Sequence, residues 1–202
     1  MAGSPSKQGL GTPGSSAITQ AFAAHGHALV EHAVPAPQCQ ALAAMASQDE
    51  VASHTLSGGT RNCWARAAHQ DLSVPVAQQV AAPGWQGWSA KEGHWFVQPP
   101  ATWLAHMVAV RLHLDDCGPS DGPLRVLPGT HTQGRLSPTS MATLRQQGTE
   151  TVCTAPAGAA LLMRPLLVHA SSKSTGTSRR RVLHFVFGPT ALPHGLRWHT
   201  TA

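Results

Sequence analysis

The sequence predicts a mainly β domain, a β-sandwich or barrel with helices packed outside it. Glycine and proline are abundant, with 19 and 16 residues among 202, which favours many short strands and turns over long helices. Only 11% of the residues are charged and 42% are hydrophobic, so most of the chain is expected to pack around a core. Two stretches, residues 107–114 and 181–187, show the alternating pattern of strands.

The predicted helices lie mainly in the first quarter of the chain. Residues 1–17 are rich in Gly, Ser and Pro and are expected to form a loose tail, so that the folded domain spans residues 18–202. A helix is predicted over residues 18–24 and a short strand over 28–30. Prolines at 35 and 37 open a second helix over 38–47, where alanine and leucine favour helix. The segment that follows, up to residue 66, shows no clear period.

Strands and turns dominate the rest of the chain. Residues 81–98 contain three tryptophans and four glycine or proline residues, which favours an irregular segment, a candidate lid. Ser137 is expected to cap a helix that continues to residue 147. Strands are predicted over residues 69–76, 107–114, 150–154, 158–167 and 181–187, with a turn, a short strand and a second turn over 122–131.

Charge and cysteine usage narrow the class of protein. The net charge of +5 comes from 11 Arg and 3 Lys against 9 acids, and the one basic cluster is Arg179-Arg180-Arg181, so nucleic-acid binding is disfavoured. The four cysteines are widely spaced and without a C-x-x-C pair, as expected for reduced thiols: Cys39, Cys63, Cys117 and Cys153. No apolar stretch is long enough for a signal peptide or a membrane span, so a soluble, cytoplasmic protein is expected.

Three distant side chains have the composition of a mononuclear iron site. His69 and Asp71 are separated by one residue, so on a strand both side chains point to the same face. His169 follows 100 residues later, and two imidazoles with one carboxylate hold non-haem Fe(II) on one face and leave the opposite positions open. Arg180, 11 residues beyond His169, has the fork that binds a carboxylate through two hydrogen bonds.

A second pair has the same spacing. His113 and Asp115 also stand two residues apart, on a segment with clearer strand alternation. Spacing alone therefore leaves both pairs open as metal ligands.

The chain resembles the phytanoyl-CoA dioxygenase family, which comprises Fe(II)/2-oxoglutarate oxygenases with a double-stranded β-helix, or jelly-roll, fold. The resemblance covers most of the chain, from residue 25 onward, and in combination its motifs are fairly specific. They are AHQD (68–71), GPSDGPLRVLPGTH (118–131), RPLLVHASS (164–172) and the closing strand RRRVLHFVFGP (179–189). The family's metal pair lies in an H-Q-D motif well upstream of the P-G-S-H turn, which implies His69 and Asp71 as ligands.

The resemblance also implies roles for other residues. His69, Asp71 and His169 would bind Fe(II), and Arg180 would hold the far carboxylate of 2-oxoglutarate. Ser171, two residues after His169, would face the same way and could donate to that carboxylate. Four residues are weaker candidates for lining the pocket. Arg111 and His113, on the strand face expected to look into the barrel, would line the co-substrate or the substrate pocket, and Gln98 and Trp88 are in the candidate lid.

The expected activity is hydroxylation of an aliphatic C–H bond of a small molecule, with O₂ consumed and succinate and CO₂ released. Related halogenases have a small residue in place of the carboxylate ligand, so Asp71 favours hydroxylation. One departure from the family motivates an alternative: only about twenty residues separate the second helix from His69, where the family typically has several tens more. The alternative is a degenerate jelly roll that binds a metal or a partner without catalysis. A third hypothesis is a cupin-like metalloenzyme that does not use 2-oxoglutarate.

Overall fold

A computed structural model gives the structure of the protein over residues 13–47, 66–91, 93–171, 173–176 and 179–199. Its strands are β1 (His27–Val30), β2 (Arg66–His69), β3 (Val74–Val76), β4 (Gln86–Lys91), β5 (His94–Gln98), β6 (Val108–His113), β7 (Leu124–Val126), β8 (Thr151–Cys153), β9 (Ala160–Met163), β10 (His169–Ser171) and β11 (Val182–Phe187). The helices are α1 (Pro13–His25), α2 (Ala36–Met45), α3 (Ala101–Leu104) and α4 (Pro138–Gln147). None of the described helices has the length and apolar character that crossing a membrane requires.

The helices follow local signals in the sequence. Helix α1 begins at Pro13, five residues earlier than predicted, because proline is well suited to the first helical position. The predicted boundary between tail and domain at residue 17 therefore falls inside this helix. Helix α4 is capped as predicted: the Ser137 hydroxyl accepts a hydrogen bond from the backbone N–H of Ser140 at 3.0 Å.

The first four-stranded sheet has the order β1-β9-β6-β11, and all of its pairs are antiparallel. On β6, Ala109 packs with side chains of the second sheet, whereas Leu112 packs beneath α2. Because side chains alternate along a strand, Arg111 and His113 share the inner face with Ala109. The alternation predicted for this strand is therefore confirmed.

The second sheet has the order β2-β10-β7-β8 and packs face to face with the first. Its inner side chains and those of the first sheet form one apolar cluster at one side of the barrel: Leu124, Val126 and Cys153 with Ala109, Leu161 and Met163. The opposite side, bordered by β11 and β2, carries the polar residues of the site. Strand β11 has no partner on its outer edge among the described strands, and Phe185, Val186 and Phe187 are 46%, 47% and 55% exposed.

The prediction of an irregular lid at residues 81–98 is wrong. Strands β4 and β5 form a hairpin there and, with β3, a third sheet of order β3-β5-β4. The glycine content that suggested a loop serves a turn and a register shift instead: Gly93 adopts φ 80° between the strands, and Gly87 lies at the irregularity in β4. Trp85 is buried in the core next to this sheet, which makes the segment part of the folded body.

Two expectations fall outside the described residues. The first is the shortened connection between α2 and β2, of which residues 48–65 are not described. The second is the prediction of a reduced thiol at Cys63, which lies in the same segment. The other three cysteines are buried free thiols, in agreement with the prediction of reduced cysteines.

Candidate metal centre

The structure brings His69, Asp71 and His169 together on the inner face of the second sheet. The Asp71 Oδ1 atom lies 3.8 Å from His69 Nε2 and 3.7 Å from His169 Nε2. Two ligand atoms that are each about 2.1 Å from one ion can be at most about 4.2 Å apart, so both distances fit a shared ion. Among the described residues, these three form the one group of His, Cys, Asp and Glu side chains that could hold a metal.

Strand pairing places the two imidazoles side by side. Strands β2 and β10 are antiparallel neighbours in which His69 lies opposite His169, and the ring centroids are 4.2 Å apart. Asp71 follows the end of β2, where its backbone N–H donates to the Pro165 carbonyl at 2.9 Å. The two parts of the ligand set, 100 residues apart in the chain, are thus joined by main-chain contacts.

The His169 ring is oriented for metal binding. Its Nδ1–H donates to the Leu167 carbonyl at 2.9 Å, which leaves the lone pair of Nε2 directed toward Asp71. Burial lowers the pKa of His169, with Asp71 acting in the opposite direction. The imidazole is therefore neutral near pH 7, as a metal ligand must be.

Gln70 fixes the backbone between the candidate ligands His69 and Asp71, a role that sequence reasoning did not assign. Its side chain is buried and points away from the ligands. The amide nitrogen donates to the carbonyls of Leu166 at 2.7 Å and Gly134 at 2.8 Å, and the amide oxygen accepts from the Leu136 N–H at 2.9 Å. The backbone between His69 and Asp71 is thereby attached to two other segments of the chain.

Replacing Gln70 by methionine is expected to weaken divalent metal binding by about 10- to 100-fold, the usual cost of losing support behind a ligand. Methionine keeps the volume but makes none of the three hydrogen bonds. Calorimetric titration with Zn²⁺ measures the effect, and Gln146→Met on the exposed face of α4 is the matched control. Unchanged affinity in Gln70→Met would show that the ligands do not depend on this side chain.

The inner face of β6 lies opposite the three ligands and carries His113 and Arg111. His113 is 4% exposed, and neither of its ring nitrogens has a hydrogen-bond partner. Burial and the charges of Arg111 and Arg180 lower its pKa to about 4, so the ring is neutral at pH 7 and offers one donor and one acceptor. A buried polar ring without partners indicates a position where a ligand group or a water binds.

In the part of the chain that the structure describes, Arg111 has a hydrogen-bond partner but no acidic partner. Its Nη1 donates to Nδ1 of His184, the residue opposite it on β11, at 3.2 Å. Burial and the charge of Arg180 lower the pKa of Arg111, and the Asp71 carboxylate acts in the opposite direction. Arg111, Arg180 and Asp71 therefore share one electrostatic environment.

Arg180 and Ser171 both lie near β7, Arg180 through the Gly122 carbonyl that precedes this strand and Ser171 as the partner of Leu124. Arg180 precedes β11 by two residues, its Nη1 donates to the Gly122 carbonyl, and its buried Nε has no partner. Ser171 is the last residue of β10, two residues after His169, and is partly exposed.

The two residues predicted from the supposed lid have other contacts. Gln98 accepts a hydrogen bond from Arg135 at 3.3 Å, and Trp88 packs against the hydrophobic cluster that includes Val74 and Val97. Neither contact places the side chain next to the metal ligands. Their assignment to the substrate pocket stays a prediction.

The second His-x-Asp pair does not form a metal site in the structure. Asp115 accepts hydrogen bonds from the Arg181 side chain, one of them from Nε at 2.8 Å, and from the Arg181 backbone N–H at 2.7 Å. Arg181 also donates to the Ala43 carbonyl and to the Ser47 hydroxyl. Arg181 therefore connects α2 to the start of β11. Its carboxylate partner Asp115 is part of this connection and does not join a metal site.

The Asp115–Arg181 pair should make stability depend on acid pH. Hydrogen bonds from Arg181 lower the pKa of Asp115 in the folded protein. A lowered folded-state pKa adds stability above the unfolded value of about 3.9, and this stability is lost as pH falls through the folded pKa. Urea unfolding at pH 7 is expected to show Asp115→Asn about 1–3 kcal/mol less stable than wild type. The gap should shrink toward pH 2.5; a gap that stays constant would contradict the assignment.

Fold and site together define a class of protein: a jelly roll with two imidazoles and one carboxylate converging inside it is a metal-dependent oxygenase scaffold. The family model described as phytanoyl-CoA dioxygenase matches residues 14–182. The chain belongs to this family, as the sequence motifs predicted. None of the curated proteins compared with the chain matches it.

Three solved structures are similar to this chain in fold. The α-ketoglutarate-dependent epimerase SnoN from nogalamycin biosynthesis has a TM-score of 0.53 at 11% identity, covering 89% of this chain and 90% of its own. HygX from Streptomyces hygroscopicus, with nickel and 2-oxoglutarate bound, has a TM-score of 0.51 at 14% identity, and the match covers 86% of this chain and 87% of HygX. AviO1 from Streptomyces viridochromogenes Tue57 has a TM-score of 0.55 at 18% identity, and the match covers 88% of this chain and 96% of AviO1. At these identities the likeness shows the fold, which confirms the predicted jelly roll.

Proposed function

We propose that the protein is an Fe(II)/2-oxoglutarate-dependent dioxygenase that hydroxylates an aliphatic C–H bond of a small molecule. The observation that carries the proposal is the convergence of His69, Asp71 and His169 within the reach of one ion. Family membership supports the general class, and the solved structure of HygX holds a metal and 2-oxoglutarate in the same fold.

In this proposal, each residue near the centre has a separate task. His69, Asp71 and His169 hold Fe(II), which supplies the activation of O₂ that is coupled to conversion of 2-oxoglutarate into succinate and CO₂. Arg180 binds the distal carboxylate of 2-oxoglutarate through its fork, and Ser171 donates a hydrogen bond to the same group.

The substrate is assigned to the remaining interior. Arg111 and His113 line it from β6, with Gln98 and Trp88 as more distant candidates. The walls orient the C–H bond and exclude water and stray reductants. Asp71 supports hydroxylation over halogenation, because a carboxylate occupies the position that a halide would need. SnoN is named an epimerase, so the outcome on this scaffold has to be measured.

Two measurements test the proposal. Purified full-length protein with Fe(II), 2-oxoglutarate and O₂ is expected to release succinate, and omission of the metal should stop it. With a panel of small aliphatic compounds under ¹⁸O₂, a product should gain one labelled oxygen atom. If succinate is released and the product is epimerised or cyclised but carries no new oxygen atom, the reaction is not hydroxylation but another reaction of the same class.

An alternative is a jelly roll that binds metal or a partner without catalysis. It is supported by the outer edge of β11, which pairs with none of the described strands, and by the exposed apolar side chains of this strand. It predicts that the protein binds Zn²⁺ or Fe²⁺ but consumes no O₂ with any compound in the panel.

We also propose a small-molecule substrate, no nucleic-acid partner and a cytoplasmic location. The free buried thiols agree with a reducing environment.

A further inference from the structure

The interior of the barrel contains one cationic side chain more than the proposed reaction needs. Arg180 is assigned to 2-oxoglutarate, but Arg111 also faces the centre from the neighbouring strand. Among the described residues its one hydrogen-bond partner is His184, and no carboxylate of theirs lies within ion-pair distance of it. A guanidinium cannot discharge itself by losing a proton in a protein, so it is expected to find an anion.

The charges around the centre can be counted for the protein with Fe(II) and 2-oxoglutarate bound. Fe(II) and the two arginines bring four positive charges, and Asp71 with the two carboxylates of 2-oxoglutarate brings three negative ones. His113 is neutral at pH 7, and His184 accepts a hydrogen bond through Nδ1, which a doubly protonated ring could not do. The loaded interior therefore keeps one uncompensated positive charge, and it resides on the β6 side.

Three further acidic side chains near the barrel have partners of their own, and none of them is among the groups that act electrostatically on Arg111. Asp115 is paired with Arg181, and Glu150 is paired with Arg125 at 3.1 Å and with Arg145 at 2.7 Å. Asp121 accepts a hydrogen bond from the Gly118 N–H at 2.8 Å. The acid that acts on Arg111 electrostatically is Asp71, which is already counted as the metal ligand.

A second feature points to a ligand at the same place. His113 stands two residues from Arg111 on the same face of β6, is 4% exposed and has no partner for either ring nitrogen. Next to a guanidinium, its N–H can serve as a further donor to a negatively charged oxygen. A fork of N–H groups beside an unpartnered imidazole is the composition of an oxyanion-binding site.

We propose that Arg111, with His113 beside it, binds an anionic group of the substrate, so that the substrate class is a small molecule with one carboxylate or phosphate group. This inference rests on the proposed function, because the surplus charge exists only when Fe(II) and 2-oxoglutarate are bound. Binding of the anion would also align the remainder of the substrate between β6 and the metal ligands on the opposite sheet.

The test measures binding and does not depend on turnover. Full-length protein is loaded with Zn²⁺, which accepts the same ligand types without redox chemistry, and with 2-oxoglutarate. Saturation-transfer NMR titrations then compare benzoate, phenyl phosphate and benzamide as probes. Wild type is expected to bind one of the two anions at least about tenfold more tightly than benzamide, as for a charge-assisted hydrogen bond. Which anion binds more tightly distinguishes a carboxylate from a phosphate substrate.

Variants assign the preference to Arg111. In Arg111→Met the preference should fall to within about twofold, whereas Arg111→Lys should keep most of it, and the affinity for 2-oxoglutarate should change by less than about threefold in both. Arg197→Met, an exposed site with the same change in net charge, is the control. Near-UV circular dichroism checks that the fold is kept, and Arg111→Lys tests the charge if methionine is not tolerated.

Three results would overturn the inference: equal binding of benzamide and the anions in wild type, an anion preference that survives in Arg111→Met, or loss of 2-oxoglutarate binding in that variant. The last would assign Arg111 to the co-substrate. A wild-type protein that binds Zn²⁺ but no 2-oxoglutarate would be a different failure, because it removes the proposed function itself and the charge count with it.

Discussion

Replacement of His169 by alanine is expected to abolish 2-oxoglutarate turnover and to weaken metal binding by more than about 100-fold. Loss of a residue that merely supports a ligand costs about 10- to 100-fold, and His169 is itself one of three ligands. Its Nε2 atom lies 3.7 Å from Asp71 Oδ1, and no other described histidine is near enough to replace it. Succinate release and Zn²⁺ calorimetry measure the two effects.

Two further variants make this result interpretable. Asp71→Asn keeps the shape of a partly exposed ligand and should give a similar loss, which separates the loss of a ligand from the loss of the fold. His106→Ala removes an exposed imidazole that bonds to the Thr102 carbonyl and should behave as wild type. Turnover in His169→Ala equal to that of wild type would remove the basis of the oxygenase proposal.

Replacement of Arg180 by methionine is expected to raise the KM for 2-oxoglutarate by about 10- to 100-fold with a smaller change in kcat. A bidentate charged hydrogen bond to the distal carboxylate contributes about 1.5–3 kcal/mol, and it is made equally in the ground state and the transition state. Steady-state kinetics with varied 2-oxoglutarate measure the split between KM and kcat.

Its neighbours provide the controls for this experiment. Arg179→Met changes an exposed side chain of the same cluster and should leave KM unchanged. Arg181→Met should instead lower the free energy of unfolding, because Arg181 holds Asp115 and α2. A normal KM for 2-oxoglutarate in Arg180→Met would show that another residue holds the distal carboxylate. A metal-dependent activity that needs no 2-oxoglutarate and is unchanged in Arg180→Met would instead support the cupin-like hypothesis.

Most of the sheet structure could be predicted because strand alternation is a local signal. The predicted strands at residues 107–114 and 181–187 correspond to β6 and β11, with ends that differ by one residue. The hairpin of β4 and β5 was missed because glycines usually mark loops. The Gly93 turn between two runs with aromatic residues was the signal that could have revealed it.

The site was predictable only in part, for a physical reason. The spacing of His69 and Asp71 indicates a shared strand face, but His113 and Asp115 have the same spacing. What separates the pairs is the partner of each carboxylate, and Asp115 meets Arg181 from a segment 66 residues away. The bonds of Gln70 likewise reach residues 64 to 96 positions away, so no local pattern encodes them.

The hydrogen bonds of Gln70 to the backbone of Gly134, Leu136 and Leu166 have a consequence for how the protein gains and loses its metal. Because the ligands are held by strand pairing and amide hydrogen bonds, the metal does not have to organise the chain around itself. Uptake of iron is then a local event on a finished fold, in contrast to zinc fingers, whose chains collapse only around their ion. A chelator should therefore empty the protein reversibly, leaving a soluble apoprotein whose thermal melting is still cooperative.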